Sequence, residues 1–396
     1  MNWKRQISLG NEISFTIGLS IIILISGIIG SNVFLVMIGL LFLLFTYMNQ
    51  LYLRRVANRL TVNVDKDLIK LFKGEKDEFS ITFIQHGFYP ILGARVRMTI
   101  DSVLQFEHER KMINHEQTEI ELPLSLLKKQ SVSVRFPFQA IERGVAKIRT
   151  LEIRIPHLFG FGDVYLKYDQ PFNLETVVYS SPQTIGGINR IVPKNIGEYP
   201  MKQSYFEDMS ALVGARGYVP TDPFNRVHWK ASAKTNSLQT KIYERTSQFS
   251  WTIFINVREA KFEELLSGLT YLLEYATIRS IPFELFINVR KAGKIPFIHH
   301  PIGTGRDHLQ RALEIIARLS KHSVTIPFSQ MLYSTGRQFQ LSPYVVICGN
   351  VEQNYERIAA NFRKNGVDCY QMIEHDDAVV LTSFSLSKGA VDSHAI

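Results

Sequence analysis

The chain has 396 residues, of which 45% are hydrophobic, 20% charged and 11% aromatic, and 45 Lys and Arg against 36 Asp and Glu give a net charge of +9. This excludes a disordered polymer, a collagen-like repeat and a small disulfide scaffold, and the length calls for two or three folded units. The two cysteines, Cys348 and Cys369, make neither a disulfide framework nor a zinc spacing, which fits a reducing compartment.

Residues 1–12 read as a cytoplasmic N-terminal tail. From Ile13 to Leu53 there follow 41 residues without one Asp, Glu, Lys or Arg. A membrane span takes about 20 apolar residues, so the run predicts two spans, 13–29 and 33–53, broken at the turn-forming Gly30-Ser31-Asn32. Lys4 and Arg5 before the pair and Arg54, Arg55 and Arg59 after it predict a hairpin with both ends in the cytoplasm. A cleavable signal peptide fits less well, because no Ala precedes Ala57 and the second apolar run follows at once.

Residues 54–185 read as a β-sandwich-like domain. Ser131–Phe138 alternates apolar and polar positions, as do Lys147–Ile155 and shorter runs at 78–84, 94–100, 104–108 and 118–122. After a linker and signature segment over 186–250, the texture over 251–396 changes to strands alternating with helices. Strands are predicted at Trp251–Ile255, Phe283–Val289 and Tyr344–Cys348, and helices over 261–279, 306–319 and 352–364. This order predicts a parallel sheet covered by helices, in an α+β multidomain chain.

The segment between the two units, Ala211 to Lys234, carries most of the candidate functional residues. Asp222-Pro223 predicts the start of a helix running to Lys234, on which Arg226, Lys230 and Lys234 recur every four residues as a basic stripe. Arg216, Tyr218, Asp222, Arg226, Val227-His228-Trp229-Lys230 and Ala231-Ser232-Ala233-Lys234 together resemble the signature of the prokaryotic domain-of-unknown-function 58 family. Thr221 stands where that family has glycine. Phe136-Pro137-Phe138 and Arg143-Gly144-Val145 also resemble the family's pattern, and His157–Phe161 occupies the place of its Asp-Pro-Phe-Gly-Leu.

The resemblance implies a membrane-anchored protein with a von Willebrand A-like domain after the signature. It also implies a MoxR-type AAA+ ATPase as partner, and a scaffold or adaptor role in the assembly or remodelling of protein complexes. Arg216, Tyr218, Asp222, Arg226, His228, Trp229, Lys230 and Lys234 are then candidates for partner contact. In that fold a divalent cation is often held by an Asp-x-Ser-x-Ser loop. Here Asn256, Arg258 and Ala260 stand at those positions, a degenerate set in which a guanidinium repels a cation. No metal or other cofactor is expected.

The competing reading is a membrane-bound hydrolase or transferase with His228 as general base, Asp222 as its orienting acid and Ser232 four residues on. An entirely architectural reading packs Trp229 between the two domains. Gly303-Thr304-Gly305-Arg306 lacks the Gly-Lys-Ser/Thr ending of a phosphate-binding loop. His299-His300 has no third ligand at a metal spacing. Membrane flanks account for part of the basic balance, a domain tethered beside anionic headgroups gains from a basic surface, and no nucleic-acid reading motif accompanies it.

Overall fold

A computed structural model describes residues 3–9, 11–107, 109–114, 116–156, 162–191, 207–245, 250–349, 358, 361–364, 367–375 and 378–383. The chain is a mixed α+β protein with several sheets, divided into two compact units, Met1–Ser181 and Pro182–Ile396.

The first unit opens with strand β1 (Trp3–Leu9) and the helices α1 (Asn11–Ile29) and α2 (Val33–Arg55). The expected N-terminal tail is therefore a strand for most of its length. Its alternating side chains suit an edge position, and it pairs antiparallel with β11, Trp3 opposite Tyr168. Lys4 and Arg5, which read as membrane flanks, sit within it; Lys4 Nζ lies 2.5 Å from Asp169.

The remaining strands of this unit are β2 (Leu60–Val64), β3 (Leu68–Phe72), β4 (Lys76–Gln85), β5 (Ile91–Asp101), β6 (Leu104–Phe106), β7 (Glu109–Asn114), β8 (Gln117–Leu126), β9 (Ser131–Ala140), β10 (Gly144–Pro156), β11 (Gly162–Tyr168) and β12 (Glu175–Tyr179). One sheet runs β1-β11-β10-β5-β8-β7, with β12 linking β10 to β3, and the other runs β2-β4-β9-β6. Alternate residues point inward, Phe79, Ile81 and Phe83 from one sheet and Val96, Met98, Leu151 and Ile153 from the other, into a single core. The outward face of the larger sheet is laced by cross-strand ion pairs such as Arg97–Glu119 at 3.0 Å and Arg154–Asp163 at 2.7 Å.

In the second unit the elements are β13 (Ile185–Gly186), β14 (Glu207–Gly217), α3 (Trp229–Thr235), β15 (Gln239–Arg245), β16 (Trp251–Ile255), α4 (Phe262–Ile278), β17 (Phe283–Arg290), β18 (Phe297–Gly303), α5 (Arg306–Ala317), α6 (Phe328–Gln338), β19 (Tyr344–Cys348), β20 (Asp368–His375) and β21 (Ala378–Ser383). Seven strands form one sheet in the order β13-β21-β20-β19-β16-β17-β18. β16 runs parallel to β17 and β19, and β19 parallel to β20. Every residue of β16 and β19 is buried, which is why both read as unbroken apolar runs.

One face of this sheet is covered by α4 and α5 through Leu266, Leu269, Leu273 and Ile316, the other by α6 through Phe328, Met331 and Leu332. The apolar face expected for 261–279 is the buried face of α4. Helix α6 was not anticipated, and β13 brings residues before the expected 251 boundary into the sheet. Most of the helix expected over 352–364 lies outside the described residues; 358 and 361–364 are helical.

The break between α1 and α2 falls where expected because Asn32 caps α2, its side-chain oxygen accepting from the N–H groups of Phe34 (3.1 Å) and Leu35 (3.4 Å). Among the described residues only α2 is long and apolar enough to cross a membrane; the apolar stretch Ile13–Ile29 is shorter. Ser20, Thr46 and Asn49 are buried in this region while Ile22, Ile29, Phe34 and Met37 are exposed, the reverse of a soluble helix pair. The two helices approach closely at glycine. A Cβ on Gly27 would lie 2.8 Å from the backbone nitrogen of Val36, whereas one on Gly18 would meet nothing within 4 Å. Gly27→Leu is therefore expected to cost about 1–3 kcal/mol by overpacking, lowering Tm in detergent, while Gly18→Ala leaves Tm unchanged.

Candidate functional site

β14 and β15 form a two-stranded antiparallel ribbon outside the seven-stranded sheet, and the signature residues occupy its end and the chain that joins its strands. The helix expected from Pro223 to Lys234 is two pieces. A single 3-10 turn, Phe224–Arg226, is followed by extended Val227, and α3 then begins at Trp229. The interruption has a cause: Val227 forms a bridge with Thr240 of β15 and is buried, and the His228 N–H donates to the Gln239 carbonyl at 2.7 Å. These ribbon contacts replace the bonds a continuous helix would make.

Asp222 consequently does not cap a helix. Its carboxylate accepts from Arg216 Nη2 at 2.6 Å, from Thr240 Oγ1 at 3.0 Å and from the Val219 N–H at 3.2 Å. The Arg216 guanidinium bond, aided by the other two donors, holds the Asp222 carboxyl below the usual carboxylate range. The Tyr218 N–H donates to the Leu238 carbonyl at 2.9 Å, closing the turn on the other side.

His228 is itself the cap of α3. Its Nδ1 accepts from the Ala231 N–H at 3.3 Å, so the neutral ring carries its proton on Nε2. The Ser232 hydroxyl donates to the His228 carbonyl at 3.0 Å and accepts from the Gln239 N–H at 2.8 Å. His228, Asp222 and Ser232 are thus close in the chain, yet each bonds to backbone or to Arg216 and Thr240 rather than forming an acid–base–nucleophile relay. Thr240 as the second partner of Asp222 had no local signal in the sequence, because its strand pairing alone brings it there.

Trp229 is 61% exposed and packs edge to face on Phe224, itself 64% exposed, at 5.6 Å. Lys230 and Lys234 are exposed and lie four apart on α3, so they share one side of it. Arg226 falls in the 3-10 turn and is not part of that row.

At the carboxyl end of β16 the candidate cation residues are each bonded to neighbouring residues of this unit. Asn256 Oδ1 accepts from Asn288 Nδ2 at 2.9 Å, and Asn256 Nδ2 donates to Glu259 Oε1 at 2.9 Å. Arg258 turns away to Thr325 Oγ1 (3.2 Å) and the Ser323 carbonyl (3.3 Å), and the Ala260 carbonyl accepts from Lys321. Glu259 packs over Gly349, whose φ of +120° and missing Cβ make room for the carboxylate. Among the described residues no group of three His, Cys, Asp or Glu side chains is placed to hold a metal ion.

His299 and His300 lie on β18 and, as neighbours on a strand, face opposite ways. His299 Nε2 is 3.3 Å from Glu284, which also accepts from Thr252 at 2.6 Å. His300 stacks on His308 with ring centres 4.2 Å apart, a parallel arrangement that aims no two ring nitrogens at one ion. Gly303-Thr304-Gly305-Arg306 is a strand end and helix entry. The His157–Phe161 segment lies outside the described residues.

No protein-family model matches this chain, and no curated protein matches it. Solved structures match over about a third of its length. The CARDB domain of the PF1109 protein from Pyrococcus furiosus is 13% identical, over 30% of this chain and 91% of that one, with a TM-score of 0.19. A non-cellulosomal cohesin from Archaeoglobus fulgidus is 11% identical, over 31% and 90%, with a TM-score of 0.20. A beta-glucosidase from Listeria innocua is 12% identical, over 31% and 16%, with a TM-score of 0.17. At these TM-scores the likenesses carry no argument about what this chain does.

Two measurements probe these environments. Asp222→Asn is expected to raise amide hydrogen exchange at Val219, and in the wild-type chain the same increase should appear as acid carries the solution below the depressed pKa of Asp222. Burial, then the neighbouring His308, lowers His300 from 6.5 to about 4. The unfolded chain thus binds a proton that the folded one excludes, and stability falls between pH about 6.5 and about 4. His300→Phe should flatten that part of a Tm-against-pH profile.

Proposed function

We propose that this chain is a membrane-anchored scaffold or adaptor, with α1 and α2 as a two-pass hairpin and both soluble units on the cytoplasmic side. One observation carries the proposal. The chain enters α1 from β1 and leaves α2 into the core at Tyr52, Leu53, Val56 and Ala57, so both ends of the apolar pair belong to the same sandwich. A chain that leaves one soluble domain and returns to it crosses a bilayer an even number of times. If α2 spans, α1 spans back, and the 17-residue apolar stretch from Ile13 to Ile29 reaches about 25 Å, near the lower limit for a span. Lys4, Arg5, Arg54, Arg55 and Arg59 favour the cytoplasm for that side.

The second unit, in this reading, is a von Willebrand A-like domain. A central parallel sheet with α4 and α5 on one face and α6 on the other supports it. The Asn256–Asn288 amide pair, with Arg258 beside it, takes the positions at which such a domain would hold a cation, and that strand end is then a surface for protein contact. The family resemblance makes a MoxR-type AAA+ ATPase the partner. The self-satisfied bonding of His228 and Ser232 favours the scaffold over a hydrolase.

Affinity purification of the full chain from native membranes, with and without a non-hydrolysable ATP analogue, tests the reading. An AAA+ ATPase is expected to be enriched in a nucleotide-dependent way and reduced by Lys230→Glu/Lys234→Glu. Absence of any ATPase in both nucleotide states would remove the adaptor assignment.

A further inference from the structure

The ribbon β14–β15 with α3 buries little of itself. Among the described side chains between 207 and 245, only Val227 and Thr240 are buried, while Leu212, Val219, Phe224, Trp229, Leu238 and Ile242 are each more than 40% exposed. A two-stranded ribbon is marginal in water by itself, and large apolar side chains left out in this density mark a surface that another molecule covers.

The exposed side of α3 is also basic. The carboxylate of Asp222 is taken by Arg216, and Lys230 and Lys234, both exposed, have no ion pair among the described side chains. An apolar surface rimmed by uncompensated cations is complementary to one that is apolar and anionic.

We infer that the Phe224–Trp229 pair and the Lys230/Lys234 row form a docking surface for an acidic, amphipathic segment of a partner protein. Trp229 and Phe224 brace each other edge to face at 5.6 Å, which fixes the aromatic anchor before binding. Lys230 and Lys234, one turn apart on α3, suit carboxylates spaced by one helical turn on the partner. The inference deepens the adaptor reading, and it rests on the part of that reading that makes this module a contact surface.

Site-specific photo-cross-linking in native membranes tests it, with benzoylphenylalanine replacing Phe224, Trp229 or, as an exposed control in α4, Ile278 of the full chain. The expected result is adducts at 224 and 229, identified by peptide sequencing, on a segment rich in Asp or Glu and in large aliphatic residues. Lys230→Glu/Lys234→Glu should reduce their yield about tenfold or more while leaving the 278 background unchanged. Adducts on lipid would assign the surface to the bilayer and overturn the inference. So would adducts on a basic or uncharged segment, yields no higher than at 278, or yields indifferent to the charge reversal. An acidic segment from a protein other than an ATPase would keep this inference and remove the ATPase assignment. Nucleotide-dependent ATPase recovery without adducts at 224 and 229 would do the opposite.

Discussion

The end of α2 is a structural part of the sandwich, and much of the first unit depends on that. Leu53, Val56 and Ala57 are buried in the core that both sheets share, and Tyr52 donates to the Pro90 carbonyl at 2.9 Å. The last carbonyls of the helix, left without intrahelical donors, accept from Arg5 of β1 at Arg54 and Val56. The arginine that precedes the apolar pair therefore closes the helix that ends it. A hinge at this point would leave the helix carbonyls unpaired and open a gap in the core, so the junction behaves as one rigid piece.

Legibility in the sequence followed how local each cause was. The apolar run, the Asn32 break, the alternation of β4, β5 and β10 and the buried face of α4 rest on near neighbours in the chain, and all were readable. Strand β1 was not, because Lys4 and Arg5 dominate its pattern and its partner β11 lies some 160 residues away. Helix α6 escaped for a different reason: its apolar face, Phe328, Met331, Leu332 and Thr335, is short and interrupted by polar residues. The residues singled out between 211 and 234 do lie together at the end of the β14–β15 ribbon, but their bonding was not readable. Bridging of Val227 to Thr240 breaks the expected helix, and no spacing rule within residues 211–234 contains Thr240.

Within the signature module, two kinds of side chain do opposite things. Arg216, Asp222, His228 and Ser232 spend their hydrogen-bonding capacity inside the module, fixing the turn and the first turn of α3. Phe224, Trp229, Lys230 and Lys234 are exposed to the outside. The first set makes a rigid frame from a segment with almost no core, and the second is what that frame presents. A short polar network can thus hold an aromatic pair in a defined orientation without the apolar burial that normally does so.

The pairing of β1 with β11 also has a consequence for the order of events during synthesis. β1 has no partner until residues 162–168 have been made, and two strongly apolar helices intervene. For all that time its backbone N–H and C=O groups along the future edge stay unmatched, and the loop it must close is among the longest in the first unit. The edge of the larger sheet is therefore completed late, by residues translated well before their partner. The chain itself sets this order, since α1 and α2 are complete before the strand that precedes them has anywhere to bind.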